Sequence, residues 1–320
     1  MNIVAIIVNY RTAALTVDCL ESLEPVASEH PDFSVELIDG GSGDDSPSIL
    51  AAAIQQHAWQ SWVRLTALAD NKGFAGANNV GITAALARED RPDVIWLLNP
   101  DTVTLPGAME PLLETLRANP SAGIVGSRLQ YPDGEPQTSA CRFPTIRSEF
   151  VDAMRFGPLT RLLERHNVAP DPPQDLCQVD WVAGASFMIR SELIDKIGMF
   201  DDRYFMYYEE VDFCYRAKQA GYQTWYHPAS RVIHLVGQSS GVTGAQAVLK
   251  QRPQYWFDSR RHYFLSKHGK LRTAIADAAW LVGRAIWIGR AIVQRKPAID
   301  PPKLWRDFLL NSVFVRGIIR

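Results

Sequence analysis

The sequence predicts an α/β fold: a mostly parallel, Rossmann-like sheet with helices on both faces, followed by a helical C-terminal extension. Three observations carry this prediction. Apolar β-rich runs alternate with helix-like stretches over residues 1–127. The first run, Ile3-Val4-Ala5-Ile6-Ile7-Val8, shows no polar alternation, the mark of a strand covered on both faces. Polar and Gly-rich residues gather in the loops after strands, where ligands bind to sheets of this class.

Each element follows in order. Residues 3–8 form a strand, and residues 12–23 a helix for which Thr12 is a suitable cap. Residues 35–38 form a second strand ending at Asp39. Ser46 and Pro47 fit the cap and first turn of a helix to about residue 57, because proline lacks an N–H that the first turn leaves unbonded anyway. A strand over 62–68, a helix over 76–87 and a strand over 94–98 come next, the last running into Asn99-Pro100-Asp101. A helix over 106–119 and a strand at 124–125 complete this half. Parallel neighbours need crossovers, which the helices supply. Residues 130–178 are rich in Pro and Gly and predict a loop-rich insertion with one short helix near 159–166. A turn and strand over 181–190 lead to a short helix over 191–197, capped by Ser191. A helix over 209–220 stops at Gly221, a natural C-cap. Short strands at 224–226 and 232–234 precede mostly helical chain after Gly244. The expected domain is 1–265, divided into 1–127 and 128–265, with an extension over 266–320.

Composition narrows the function. The 320 residues are 47% hydrophobic, which excludes disorder and a small disulfide scaffold. The formal net charge of −2 lacks the basic footprint of a nucleic-acid binder. That total hides an asymmetry: residues 267–320 hold 11 Lys/Arg against 3 Asp/Glu, so an acidic body carries a basic, apolar tail. Such a tail points to an anionic membrane surface, or to packing on the body or in a homodimer. Asp277, Arg284 and Arg290 interrupt its apolar stretch, which argues against a membrane span. Cys19, Cys141, Cys177 and Cys214 have no paired spacing, and residues 1–8 lack the basic start of a signal peptide. Both point to a cytoplasmic protein, peripheral on the membrane where the tail binds lipid.

A dinucleotide-binding reading fails at the first loop. Asn9-Tyr10-Arg11-Thr12 follows the first strand, with no G-x-G-x-x-G and no P-loop anywhere. A phosphate must be held another way, most simply by a metal.

Seven motifs occur in order: Val8-Asn9-Tyr10, Asp39-Gly40-Gly41-Ser42-Gly43-Asp44-Asp45-Ser46, Asn71-Lys72-Gly73-Phe74-Ala75-Gly76-Ala77-Asn78-Asn79, Asn99-Pro100-Asp101, Gly184-Ala185-Ser186-Phe187-Met188-Ile189-Arg190, the aromatic and acidic run from Phe200 to Phe213, and His234-Leu235-Val236-Gly237-Gln238-Ser239-Ser240. Together, over roughly residues 1–265, they resemble glycosyltransferase family 2, the inverting GT-A enzymes, and within it the bacterial rhamnosyltransferase-like branch. That resemblance implies transfer of a sugar from a nucleotide sugar to a hydroxyl of a cell-surface glycan or lipid-linked acceptor. The branch points to L-rhamnose from dTDP-rhamnose, with UDP-sugars as alternative donors.

The resemblance also implies roles. Asp39 reads the imide N–H of a pyrimidine base, flanked by Val8, Asn9 and Tyr10. Gly73 and Gly76 allow close backbone approach at a helix N-terminus, Asn78 reaches ribose or phosphate, and Asn71 belongs to the same donor-binding stretch. Asn99-Pro100-Asp101 stands where the family has D-x-D. Asn99 is a weak ligand for a hard cation, so Asp101 is the metal ligand and Asn99 a hydrogen-bonding residue. His234 is a second ligand for Mg²⁺ or Mn²⁺. Glu210 is the general base, with Glu209 and Asp212 as alternatives; Asp212 can instead pair with Arg216, four residues on. Trp181, Gly184 and Ala185 lie beside the donor sugar. A non-catalytic nucleotide-sugar-binding protein is the competing class.

Overall fold

The computed structural model describes residues 1–157, 163–235, 250–296 and 300–317. The chain forms two compact units: Met1–Cys141, Asp171–Phe205 and Glu209–Thr243 in one, and 142–170, 206–208 and 244–320 in the other.

The first unit opens with β1 (Ile3–Asn9), α1 (Ala13–Glu29), β2 (Phe33–Asp39), α2 (Ser46–Gln56), β3 (Val63–Ala67), α3 (Gly73–Leu86) and β4 (Val94–Leu98). The four strands lie in the order β3-β2-β1-β4, all parallel, as the crossover pattern requires. Then come β5 (Thr102–Thr104), α4 (Met109–Ala118), β6 (Ala122–Gln130) and β7 (Ala140–Cys141). Past α5 (Ile146–Met154), which belongs to the second unit, follow β8 (Cys177–Val179), β9 (Trp181–Val182), β10 (Ser186–Arg190), α6 (Ser191–Ile197), α7 (Glu209–Gln219) and β11 (Gln223–His234).

The sheet continues past β4 as β10-β6-β11-β5. Here β10 is antiparallel to both neighbours, and β5 is antiparallel to β11. The far half is therefore mixed. Its geometry follows from chain economy: β5 is reached from β4 by the three residues Asn99-Pro100-Asp101, too short for a crossover. The core of this unit joins Ile7, Leu37 and Trp96 of the strands to Leu20 and Leu23 of α1.

Three local expectations need correction. The residues expected as two strands, 224–226 and 232–234, form the single strand β11, with a register shift between His227 and Arg231 that absorbs Pro228. Ser46 is the first residue of α2, so its cap position is Asp45; its N–H bonds Asp44 Oδ1 at 2.9 Å. Ser191 does not cap α6; its hydroxyl donates to Pro92 O at 2.7 Å.

The second unit contains α5, α8 (Gln254–Val293), α9 (Leu304–Asn311) and α10 (Val313–Arg316). Gly269 breaks α8 at φ +74. The boundary expected near residue 265 thus falls inside α8, and the unit recruits the 142–170 segment. Burial explains the recruitment. Arg260 on α8 is 4% exposed. Its Nε donates to Glu149 Oε2 on α5 at 3.0 Å, and its Nη1 to Asp277 at 2.6 Å. Asp277 also accepts the Val313 N–H at 2.9 Å. One guanidinium and two carboxylates therefore join α5, both parts of α8 and the start of α10. Trp280 stacks on Phe308 at 3.8 Å within the same core. A helix near 159–166 was expected; residues 158–162 lie outside the described set, and 164–166 form one 3-10 turn.

Candidate active site

The nucleotide-side residues lie where β1 and β2 end. The strands pair in register with Asn9 opposite Asp39. Asn9 Nδ2 donates to Asp39 Oδ2 at 2.7 Å, and Ser42 Oγ donates to the same oxygen at 2.6 Å. The Ser42 N–H donates to Asp39 Oδ1 at 3.1 Å. Asn9 Oδ1 accepts from Thr16 Oγ1 at 2.9 Å and the Thr12 N–H at 3.2 Å. Asn9 is fully buried and its amide is engaged within the fold, so it holds Asp39 rather than facing a base. It also begins α1, which Thr12 does not cap with its own side chain.

Val8 and Tyr10 are half-buried beside this pair. Arg11 was not singled out from the sequence. It sits at φ +59, its guanidinium 5.2 Å from the Tyr10 ring centroid, and its Nε donates to Ser42 O at 2.8 Å. The signal for it was a cation in the motif loop, with an unfavourable backbone geometry invisible to pattern reading.

The third-strand loop is built differently from expectation. Gly73 has φ +71, and a Cβ there would fall 2.1 Å from Phe205 O. What approaches Gly73 so closely is the chain itself, and Phe205 O accepts the Phe74 N–H at 2.7 Å. Asn71 Oδ1 accepts the Gly73 N–H at 2.8 Å. Asn78, expected to reach outward, is buried and donates back to Phe74 O at 2.9 Å. Its neighbour Asn79 clamps the backbone of Phe200 at both ends, donating to its O at 2.8 Å and accepting its N–H at 3.1 Å. These residues hold the 200–205 segment against α3.

The fourth-strand loop meets β11. Register places His234 opposite Thr102, one residue from Asp101. His234 Nε2 lies 3.6 Å from Asp101 Oδ1. Gln137 grips the histidine at two points: Oε1 lies 3.1 Å from Nδ1, and Nε2 donates to His234 O at 2.7 Å. With the Nδ1–H donated to Gln137 Oε1, the Nε2 lone pair faces Asp101. Gln137 was not identified from the sequence, because it lies in the patternless 130–178 stretch. Asn99 Oδ1 is buried without a hydrogen-bond partner among the described residues. The residues fit a divalent ion. Two ligands with bonds of about 2.0–2.2 Å accommodate a separation of this size. No cluster of three or more His, Cys, Asp or Glu side chains occurs among the described residues. Phosphate oxygens and water would complete such a shell, as is common for Mg²⁺. The motif residues 236–240 lie outside the described set.

Asn99 also reaches the fifth motif, its N–H donating to Ala185 O at 2.9 Å. Beside Ala185, a Cβ on Gly184 would lie 3.9 Å from Glu210 Oε1. Gly184 thus lies next to this carboxylate and to the Phe74 ring. Trp181 is half-buried on β9, paired with Cys141 of β7.

The acid cluster separates into roles. Asp212 is buried, accepts Arg216 Nε at 2.7 Å and Tyr204 OH at 3.2 Å, and is engaged as a structural partner. Glu209 is buried and Glu210 half-buried, and each has an Oε2 with no hydrogen-bond partner among the described residues. Burial pushes the Glu210 carboxyl up to about 7, and burial plus the Glu210 charge holds Glu209 well above its ordinary value. Before them, Tyr207 and Tyr208 both have φ +71, which costs about 1–3 kcal/mol each for bulky residues. Strain of this kind gathers at functional sites. The thiols of Cys141 and Cys214 are pushed up to about 12 by burial, so both stay protonated near neutrality.

Comparison with known proteins agrees with this architecture. The "Glycosyl transferase family 2" family model matches residues 4–177. An N-acetylglucosaminyl-diphospho-decaprenol L-rhamnosyltransferase of Mycobacterium tuberculosis is 31% identical over 251 residues, 74% of this chain and 78% of that protein. The rhamnosyltransferase WbbL of Escherichia coli is 27% identical over 65% of this chain and 81% of its own. Among solved structures, a mannosyltransferase from Pyrobaculum calidifontis in complex with GDP-Man and Mn²⁺ superposes with TM-score 0.53 at 14% identity, covering 99% of this chain and 85% of that one. GalNAc-T7 with UDP, GalNAc and Mn²⁺ gives TM-score 0.57 at 14% identity, over 97% of this chain and 54% of that one. The fold is GT-A.

Proposed function

The chain belongs to glycosyltransferase family 2 and is a glycosyltransferase, and from that premise we propose that it transfers L-rhamnose from dTDP-rhamnose, with inversion, to a hydroxyl of a lipid-linked diphosphosugar. The observation that carries the chemistry is Glu210, a half-buried carboxylate whose Oε2 has no hydrogen-bond partner among the described residues and whose Oε1 lies beside Gly184.

Glu210 takes the proton of the acceptor hydroxyl as that oxygen bonds to the anomeric carbon. The bond from that carbon to the diphosphate breaks on the opposite face, and its electron pair leaves with the nucleoside diphosphate. One displacement inverts the anomeric centre, through a transition state of oxocarbenium character. Asp101 and His234 would hold a divalent ion, which supplies positive charge to the leaving diphosphate. Gln137 fixes the imidazole that faces Asp101. Asp39, held by Asn9 and Ser42, accepts the imide N–H of the base. Gly184, Ala185, Trp181 and Asn99 border the sugar. Asn71, Gly73 and Asn78 support it indirectly, by shaping the start of α3 against Phe205.

A radiolabel transfer assay tests this reading. Its acceptor is a polyprenyl-diphospho-N-acetylglucosamine analogue, and its donors are dTDP-rhamnose, UDP-sugars and GDP-mannose. Turnover is expected with dTDP-rhamnose, lost on chelation and restored by Mn²⁺ or Mg²⁺. Turnover only with a UDP-sugar overturns the donor, and binding without turnover of any donor favours a sensor.

The membrane is the second part of the proposal. Among the described residues no helix is long and apolar enough to cross one. After Gly269, however, α8 exposes Leu271, Ile275, Val282, Ile286 and Val293, the first and last by 75% and 84%. Their intervals of four and seven place them on one helix face. Basic residues Lys270, Arg272, Arg295 and Lys296 flank the stripe. Such a face suits an anionic lipid surface. Co-sedimentation with phosphatidylglycerol vesicles is expected, and Leu271→Ser with Val293→Ser should abolish most of it. Unchanged sedimentation of the double variant would exclude this face.

A further inference from the structure

The second unit contains a cavity of about 270 Å³ that the proposed transfer chemistry does not use. Four arginines line it: Arg155, Arg252, Arg260 and Arg284. Arg260 is matched by Glu149 and Asp277, as described above. The other three are not matched in this way. Asp300 lies 3.3 Å from both Arg155 and Arg284 and is shared between them. Asp152, the remaining carboxylate of the wall, forms no ion pair among the described residues, and burial pushes it up to about 6.

Arg284 is the centre of the case. Its side chain is 6% exposed. Its Nε is buried with no hydrogen-bond partner among the described residues, and its Nη1 meets Asp300 Oδ1, itself shared with Arg155, at 3.3 Å. A guanidinium carries five N–H donors in a fixed fork, and a buried one short of acceptors is costly. Burial, together with the nearby Arg155 and Arg252 charges, holds Arg284 below its ordinary value, although Asp300 opposes the shift. An anion with several acceptor oxygens relieves both deficits at once, the mutual repulsion and the empty donors. Two of these arginines are backed by aromatic rings: Arg252 stacks 4.3 Å over Trp256, and Arg284 lies 5.3 Å from the Trp280 ring. The lining therefore sets guanidinium groups against apolar faces.

We infer that this cavity is an oxyanion site whose ligand carries a phosphate or diphosphate on an organic body. Two sources share that chemistry. One is the diphosphate of a lipid-linked acceptor, an identification that rests on the function proposed above. The other is the headgroup of an anionic lipid.

Calorimetric titration of the full chain with inorganic pyrophosphate tests the site. Saturating dTDP and Mg²⁺ are present throughout, to occupy the nucleotide-binding loops of the first unit. One binding event is expected. Arg284→Gln and Arg252→Gln should each weaken it about tenfold or more, as loss of a charge-assisted bond implies. Arg252 lies at the exposed rim, so its variant tests the site even if Arg284→Gln fails to fold. No pyrophosphate binding, or wild-type affinity in a folded Arg252→Gln variant, overturns the inference. Competition by a short-chain polyprenyl diphosphate but not by phosphatidylglycerol vesicles identifies the acceptor as the source; the reverse identifies the headgroup. The two proposals fail separately. Absent transfer with every donor sinks the function and leaves the pyrophosphate titration standing.

Discussion

Replacing Glu210 by Gln is expected to lower turnover by about 10²- to 10⁴-fold, the usual contribution of a general base, while donor affinity stays near wild type. The substitution is nearly isosteric and removes only the proton acceptor. The pH profile sharpens the test. The Glu210 carboxyl is pushed up to about 7, from an ordinary 4.5, by burial. A base must be ionised, so kcat/KM should climb with pH and level off above about 7. The linkage runs the other way for stability. Folding holds this proton between the ordinary and the raised value, so the group's contribution to stability falls as pH rises from 4.5 toward 7. Glu209 is held above its ordinary value by burial and by the Glu210 charge, so substitution, one carboxyl at a time, separates their roles. Glu209→Gln should accordingly keep the acidic limb, and Glu210→Gln should erase it along with the rate. A full-rate Glu210→Gln variant, or an acidic limb lost in Glu209→Gln alone, would transfer the role to Glu209. Asp212→Asn should act instead on stability, since Arg216 and Tyr204 engage that carboxylate.

The strand ends were legible in the sequence because a buried parallel strand is a simple signal. Ile3–Asn9 and Val94–Leu98 are apolar throughout, and the polar residues after them can only be loop. Asp39 and His234 close β2 and β11, and Asp101 lies in the turn between β4 and β5, positions consistent with that pattern. What each polar side chain bonds to was less legible. Asn9, Gly73 and Asn78 look like ligand residues in a motif, yet their partners are Asp39, Phe205 and Phe74 of the same chain. Sequence spacing marks a constrained position without saying whether a substrate or a neighbouring segment imposes the constraint. Helix α5 was missed for a related reason. Its first turn carries a Thr145–Ser148 capping box in which Ser replaces the usual Glu or Gln. Its buried Glu149 makes sense only against Arg260, more than a hundred residues later. Short helices owe their stability to such tertiary contacts more than to propensity. The same limit hid Gln137, whose meaning is set by His234.

Asp277 illustrates the limit in energetic terms. In sequence it is a charge that spoils an apolar stretch. In the structure it is 1% exposed and bonded to Arg260 and to the Val313 N–H. Asp277→Ala is expected to destabilise the second unit by about 3–5 kcal/mol, because it leaves Arg260 short of a countercharge and strands a buried backbone donor. Arg260→Met should cost a comparable amount, since it leaves both Glu149 and Asp277 buried without their cation. Four of the nine tryptophans, Trp256, Trp280, Trp287 and Trp305, lie in this unit, so a fluorescence-detected melt follows it alongside the first unit. The decisive comparison is a triple replacement of Glu149, Arg260 and Asp277 by apolar residues of similar size. Desolvating three charges offsets much of what their attraction provides, so the triple variant should recover most of the stability lost by either single change. If Asp277→Ala melts like the wild type, the triad does not hold α5, α8 and α10 together. If the triple variant is as unstable as the singles, the network contributes net stability beyond balancing its own burial.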